Sequence, residues 1–142
     1  MLETIATERR VAVAREYVAR VFNGRDPELA RKYFTKDITF HALTVGTLSG
    51  IDAVVPVLAS LIGALSDIQA EVQDVIASDD LVALRQVVKA RHTGDLLGMP
   101  ATGNPIQWDA VDIYRVNDEG KMVSMSAHWE VERTMATLRK PE

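Results

Sequence analysis

The dominant spacing of hydrophobic residues changes at Asp67, from intervals of three and four to strict alternation. Between Thr7 and Asn23 the apolar positions Val11, Ala14, Val18, Val21 and Phe22 recur with helical spacing, with arginines between them and Asn23-Gly24 closing the run. They form one stripe of an amphipathic helix. Asp26 before Pro27 supplies an N-cap and a first helical residue for a short second helix through "ELARKYF". The segment "DITFHAL" reads as a short strand. "SGIDAVVPVLASLIGAL" predicts a third helix capped by Ser49, with Pro56 early enough for its missing N–H to be tolerated or to leave a kink. From Asp67 onward "DIQAEVQDVIA", "LVALRQVVKARH", "PIQWDAVDIYRV" and "KMVSMSAHWEV" alternate with period two, separated by "SDD", "TGDLLGMPATGN" and "NDEG". These are consecutive antiparallel strands, each with one apolar face. The expected fold is α+β: three N-terminal helices packed against one side of a curved, mainly antiparallel sheet that wraps into a cone, with a pocket at its mouth.

Composition narrows the function without changing that picture. A chain of 142 residues buries one core, so residues 1–142 are expected to form a single domain ending in the polar tail "LRKPE". Sixteen basic and twenty acidic residues are scattered, leaving a net charge of −4 and no electrostatic footprint for nucleic acid. The absence of cysteine excludes disulfides, thiol nucleophiles and zinc–thiolate sites. The charged run "TERRVAVAREYVAR" is unlike a signal peptide, and no apolar stretch approaches the eighteen or so residues that span a bilayer. A cytoplasmic location with no membrane partner is expected. Phosphate-loop, dinucleotide, Gly-x-Ser-x-Gly and His-Glu-x-x-His motifs are all missing, so neither cofactor nor metal is expected.

Polar residues on apolar strand faces carry the candidate chemistry. In "IQWDAVDIYRV", Asp112 shares a face with Ile106, Trp108, Ala110, Tyr114 and Val116. An ionised carboxylate there loses its hydration, at a cost of several kcal/mol unless it is partnered or stays protonated. His92 occupies the apolar face of its strand with Val82, Leu84, Gln86, Val88 and Ala90, whereas His128 lies opposite Met125, Ala127 and Trp129 and faces outward. In "DITFH" Ile38 and Phe40 share one face, Thr39 and His41 the other, and either could line the cavity. Each histidine has a competing role as a hydrogen-bonded core residue, and Tyr17 as packing on the first helix. Phe40, Trp108, Tyr114, Met125 and Trp129 suit both core and the wall of a site for a flat apolar ligand.

"VDIYRVNDEGKMVSMSAHWEVE" resembles the C-terminal strand pair of the ketosteroid isomerases, within the nuclear transport factor 2-like superfamily of cone-shaped folds, and the element order from Tyr17 to Glu132 matches as well. The resemblance implies that Tyr17 and a protonated Asp112 donate hydrogen bonds to a developing oxyanion, the arrangement for which that enzyme is a standard example. It places the general base nine residues before Gly50, at His41, so an imidazole stands where the family has a carboxylate. "RHTGDLLGMPATGN" is similar to the hairpin of the SnoaL-like polyketide cyclases, whose His-x-Gly and Gly-Met-Pro-x-Thr segments border the pocket. Their catalytic acid on the last strand corresponds here to Ala127. Dehydratases of the superfamily pair a helix tyrosine with a histidine on one strand and an acid on the next, which Tyr17, His92 and Asp112 match.

The expected function is therefore a cofactor-free acid-base enzyme on a small hydrophobic carbonyl compound, such as a steroid, polyketide or terpenoid, working by isomerisation, cyclisation or dehydration. His41 or His92 is the expected base, and Tyr17 with Asp112 the stabiliser of the enolate oxygen. The alternative is a non-catalytic small-molecule-binding or dimerisation module of the same fold. Ser124, Ser126, His128 and Glu130 occupy the face away from the cavity, where a homodimer is expected to form.

Overall fold

The computed structural model describes residues 2–139. Helix α1 (Leu2–Tyr17) runs directly into a wider π-helical turn, Val18–Asn23. Asn23 fastens that turn to the sheet: its side-chain amide donates to the Ala70 carbonyl at 3.1 Å, and its oxygen accepts from the Ala70 N–H at 2.7 Å. Asp26 caps the 3₁₀ turn Pro27–Leu29 by accepting from the Leu29 N–H, and α2 (Ala30–Tyr33) follows. The strands are β1 (Phe34–Ala42), β2 (Gly46–Ser49), β3 (Leu65–Ser78), β4 (Leu81–His92), β5 (Pro105–Val116) and β6 (Met122–Trp129). Helix α3 (Ile51–Gly63) connects β2 to β3, and α4 (Val131–Leu138) follows β6.

One six-stranded sheet has the order β2-β1-β6-β5-β4-β3. All neighbours are antiparallel except β1 and β6, whose parallel pairing brings the first strand beside the last. Register irregularities in β1, β3 and at the start of β6 help a twisted sheet curl. The resulting α+β cone buries its inner face against α1, its π-helical extension and α3, with Tyr17, Val21, Val54, Leu58, Val82, Leu84 and Tyr114 in the core. Strand β5 alternates exposed and buried residues over its whole length, which puts Asp112 among the inward set.

Several local expectations are corrected. Gly50, at φ 92°, stands at the N-cap of α3 in place of Ser49; the left-handed backbone there favours glycine. Strand β2 was not expected. Neither was α4, which buries Thr134, Met135 and Leu138, so the supposed polar tail begins inside a helix; residues 140–142 lie outside the described residues. The bulge at the start of β6 turns Met122 inward and leaves Val123 half-buried, against the simple alternation expected of that strand. Among the described residues no helix is long and apolar enough to cross a membrane.

Candidate active site

A cavity of about 190 Å³ lies between the concave face of the sheet and the helices. Strands β1, β4, β5 and β6 contribute Phe40, Ala42, Gln86, Val88, Trp108, Ala110, Asp112, Met125, Ala127 and Trp129. Tyr17, Val18 and Phe22 come from α1 and its π-helical turn, and Val57, Leu58, Ser60 and Leu61 from α3. Thr44 and Val45, between β1 and β2, and Leu96 and Leu97, between β4 and β5, complete the edge. Trp108 and Trp129 lie side by side on the wall, ring centroids 5.1 Å apart and planes inclined by 35°. Among the described residues the lining contains no lysine, arginine or histidine, and Asp112 is its sole carboxylate.

Asp112 is held by one oxygen. Its Oδ2 accepts from Gln86 Nε2 at 2.9 Å and from the Tyr114 hydroxyl at 3.0 Å. No described residue bonds Oδ1, and that atom is not sealed in the protein, so it is the oxygen open to the cavity. The Gln86 amide is fixed in direction by the same contact, because a flipped amide would set its Oε1 against a carboxylate oxygen. Gln86 Oε1 is left buried with no partner among the described residues. Burial pushes the Asp112 pKa up, and the hydrogen bonds from Tyr114 and Gln86, which favour the charged form, hold the rise to about 6. At neutral pH the group is mostly carboxylate yet close to its midpoint.

Tyr17 borders the cavity with its ring against Phe34, Tyr114 and Tyr33, at centroid distances of 5.0, 5.8 and 6.3 Å. Burial, and secondarily the negative charge of Asp112, push its pKa far up, so the hydroxyl keeps its proton. No hydrogen bond joins that hydroxyl to a described residue. A permanent donor and a titrating acid therefore share one apolar cavity.

Of the four expected catalytic residues the structure brings together two, Tyr17 and Asp112. His41 belongs to the other face of β1: Phe40 and Ala42 point into the cavity, and the His41 ring turns away, Nδ1 lying 2.9 Å from Thr47 Oγ1. It cannot be the base in this cavity. His92 is fully buried but does not line the cavity; it closes the base of the β4–β5 connection. Among the five expected wall residues, Phe40, Trp108, Met125 and Trp129 line the cavity, while Tyr114 lies beneath it and reaches Asp112 with its hydroxyl. His128 is exposed on the outer face, Nε2 3.0 Å from Ser126 Oγ. Gln86 has no expected role, yet its place on the apolar face of β4, one strand over from Asp112, is the signal in the sequence that Asp112 has a partner. The register sets Asp112 directly opposite Ala127.

A family model described as SnoaL-like polyketide cyclase matches residues 12–140. No curated protein matches. Among solved structures, a candidate SnoaL-like polyketide cyclase from Jannaschia sp. CCS1 superposes with a TM-score of 0.87 at 16% identity, covering 96% of this chain and 95% of that one. AclR, a candidate hydroxylase from Streptomyces galilaeus, is 29% identical with a TM-score of 0.81 over 96% of this chain and 99% of its own. IdmH, a candidate polyketide cyclase from Streptomyces antibioticus, is 23% identical with a TM-score of 0.77 over 91% and 97%.

Proposed function

Because the chain belongs to the SnoaL-like polyketide cyclase family, we propose that it is a cofactor-free acid-base enzyme in which Asp112 moves a proton on a small, uncharged, hydrophobic carbonyl compound. The carrying observation is the asymmetric binding of Asp112: Gln86 and Tyr114 occupy one oxygen and leave the other facing an apolar cavity. A general base works best with a pKa near the operating pH, and a value of about 6 meets that condition. The base expected at a histidine is thus reassigned to Asp112, and the acid absent at Ala127 is replaced by one entering the same cavity from the neighbouring strand.

The chemistry follows from two groups. Asp112 Oδ1 takes a proton from the carbon next to the substrate carbonyl, and the electron pair passes to the carbonyl oxygen as an enolate. The Tyr17 hydroxyl donates a hydrogen bond to that oxygen, in an apolar site where such a bond counts for more than in water. The enolate then closes onto a second carbonyl carbon, whose oxygen takes the Asp112 proton to become a hydroxyl; is reprotonated by Asp112 at a conjugated carbon; or expels a neighbouring hydroxyl that leaves as water with the Asp112 proton. These are cyclisation, isomerisation and dehydration, and each returns Asp112 to the carboxylate. The paired tryptophans and Phe40 offer flat walls for a planar or polycyclic body.

The test is exchange of the carbon-bound protons of 2-tetralone, a neutral bicyclic ketone, in heavy water, followed by nuclear magnetic resonance. The protein should accelerate exchange, and Asp112→Asn should remove the acceleration. Exchange at the wild-type rate in the variant would overturn the assignment. On the outer sheet face, Val111 and Ile113 are each 37% exposed beside His128 and Ser126. We propose that a second copy covers them; a monomeric mass by light scattering at micromolar concentration would refute it.

A further inference from the structure

The connection between β4 and β5, residues 93–104, carries Leu96 and Leu97 to the edge of the cavity and is pinned at both legs. On the first leg the N–H groups of Thr93 and Gly94 both donate to the Ala64 carbonyl at 3.0 Å. Gly94 sits so close to this backbone that a Cβ there would lie 2.8 Å from the Gly63 carbonyl oxygen. Between the legs the segment is tied to itself: Leu96 and Met99 exchange two backbone hydrogen bonds at 2.8 and 2.9 Å, and Asp95 accepts from the Gly98 N–H. Leu97, at the tip, is 50% exposed and held at φ 50°, a left-handed backbone that disfavours a leucine.

The second leg is fastened to His92. Its main chain exchanges hydrogen bonds with Gly103 and Asn104, both at 2.8 Å. Its ring Nδ1 accepts from the Thr102 N–H at 3.3 Å and lies 2.9 Å from Thr102 Oγ1, which itself accepts from the Asn104 N–H. A backbone N–H can only donate, so Nδ1 carries no proton and the ring proton is on Nε2. The donors then run in one direction, from the Asn104 amide to the Thr102 hydroxyl to the ring. Nε2 is buried with no partner among the described residues. The ring's hydrogen bonds among the described residues are thus all made through Nδ1 to Thr102.

We propose that His92 is a positioning residue: by latching Thr102 through Nδ1 it holds the 93–104 connection where Leu96 and Leu97 close the cavity around a hydrophobic ligand. The ligand part rests on the cavity reading above; the latch itself does not. Asparagine carries an oxygen where histidine has Nδ1, so His92→Asn can keep the latch, whereas His92→Leu cannot.

Two measurements separate the parts. Hydrogen exchange on the free protein should show amides of 96–103 opening about tenfold faster in His92→Leu, with β5 and β6 unchanged and His92→Asn close to wild type. Binding of 6-propionyl-2-(dimethylamino)naphthalene, a neutral aromatic ketone whose emission shifts in apolar surroundings, should weaken about tenfold in His92→Leu, less in Thr102→Val, and recover in His92→Asn. The pH midpoint of 2-tetralone exchange, set by Asp112, should stay in place in all three. Equal loop exchange in His92→Leu and His92→Asn, or faster exchange throughout the molecule in His92→Leu, would overturn the latch. Loss of 2-tetralone exchange confined to Asp112→Asn would leave the function standing even then.

Discussion

Asp112 and His92 lie on the inner faces of adjacent strands, 5% and 0% exposed, and their surroundings give them different tasks. Asp112 pairs across the sheet with Leu84, eight positions before His92 on β4, which at about 3.3 Å per residue separates the two sites by roughly 26 Å along the strand. Near the middle of the sheet the cone is wide enough to leave a cavity, and an acid there keeps one oxygen free. At the end of β4 the backbone of the connecting loop closes over the face, and the imidazole bonds Thr102 of that loop through Nδ1. Two inward-facing polar residues thus meet different surroundings at different depths along the strands.

The largest effect is expected at Asp112. Asp112→Asn should lower 2-tetralone exchange by about 10³-fold, the range expected for losing a general base, while circular dichroism shows the fold intact. Wild-type exchange should fall as the pH drops below about 6, the value to which burial raises this acid. A smaller but still large loss, about 10²-fold, is expected for Tyr17→Phe, with little change in binding of the naphthalene ketone, because the hydroxyl bond strengthens only as charge develops on oxygen.

Stability sharpens the same contrast. With a folded pKa of about 6 against about 3.9 unfolded, Asp112 is protonated in both states at low pH. As the pH rises from about 4 to about 6 the unfolded chain ionises first, so the group's contribution to stability is lost, by about 3 kcal/mol in all. Asparagine can still accept from Gln86 and Tyr114 through its carbonyl and has no charge to bury. Asp112→Asn should therefore match wild type in urea near pH 4 and exceed it at pH 8; a lower midpoint at pH 8 would mean that the carboxylate is compensated by partners. The smallest effect is expected at His41, on the far face of β1. His41→Ala should change exchange by less than about twofold, and a loss like that of Asp112→Asn would return the base to histidine.

Much of this architecture was legible because strands β4 and β5 coincide with "LVALRQVVKARH" and "PIQWDAVDIYRV", where alternation is unbroken and one face is buried. The inward placement of Asp112, His92 and Gln86 follows from the same rule. Strand β2 was illegible because "GTLS" has no apolar face of its own and exists by pairing with β1. Helix α4 escaped because Val131 reads equally well as a continuation of β6, although Thr134, Met135 and Leu138 already have helical spacing. In β1 the alternation left two faces open, and it took the parallel pairing with β6 to turn Phe40 inward and His41 out. Resemblance to an isomerase directed attention to His41 by counting from Gly50, a distance in sequence that carries no information about which way a strand faces.

The two tryptophans stacked on the cavity wall are the only two in the chain. All indole absorption and emission of the protein consequently originates at one place, on the wall of the cavity. Their close, inclined packing couples the two transition dipoles, so near-ultraviolet circular dichroism of the unlabelled protein should contain a paired band that collapses when something slides between or against the rings. The molecule thus carries its own optical gauge of whether the cavity is filled, readable without knowing the chemical name of a ligand.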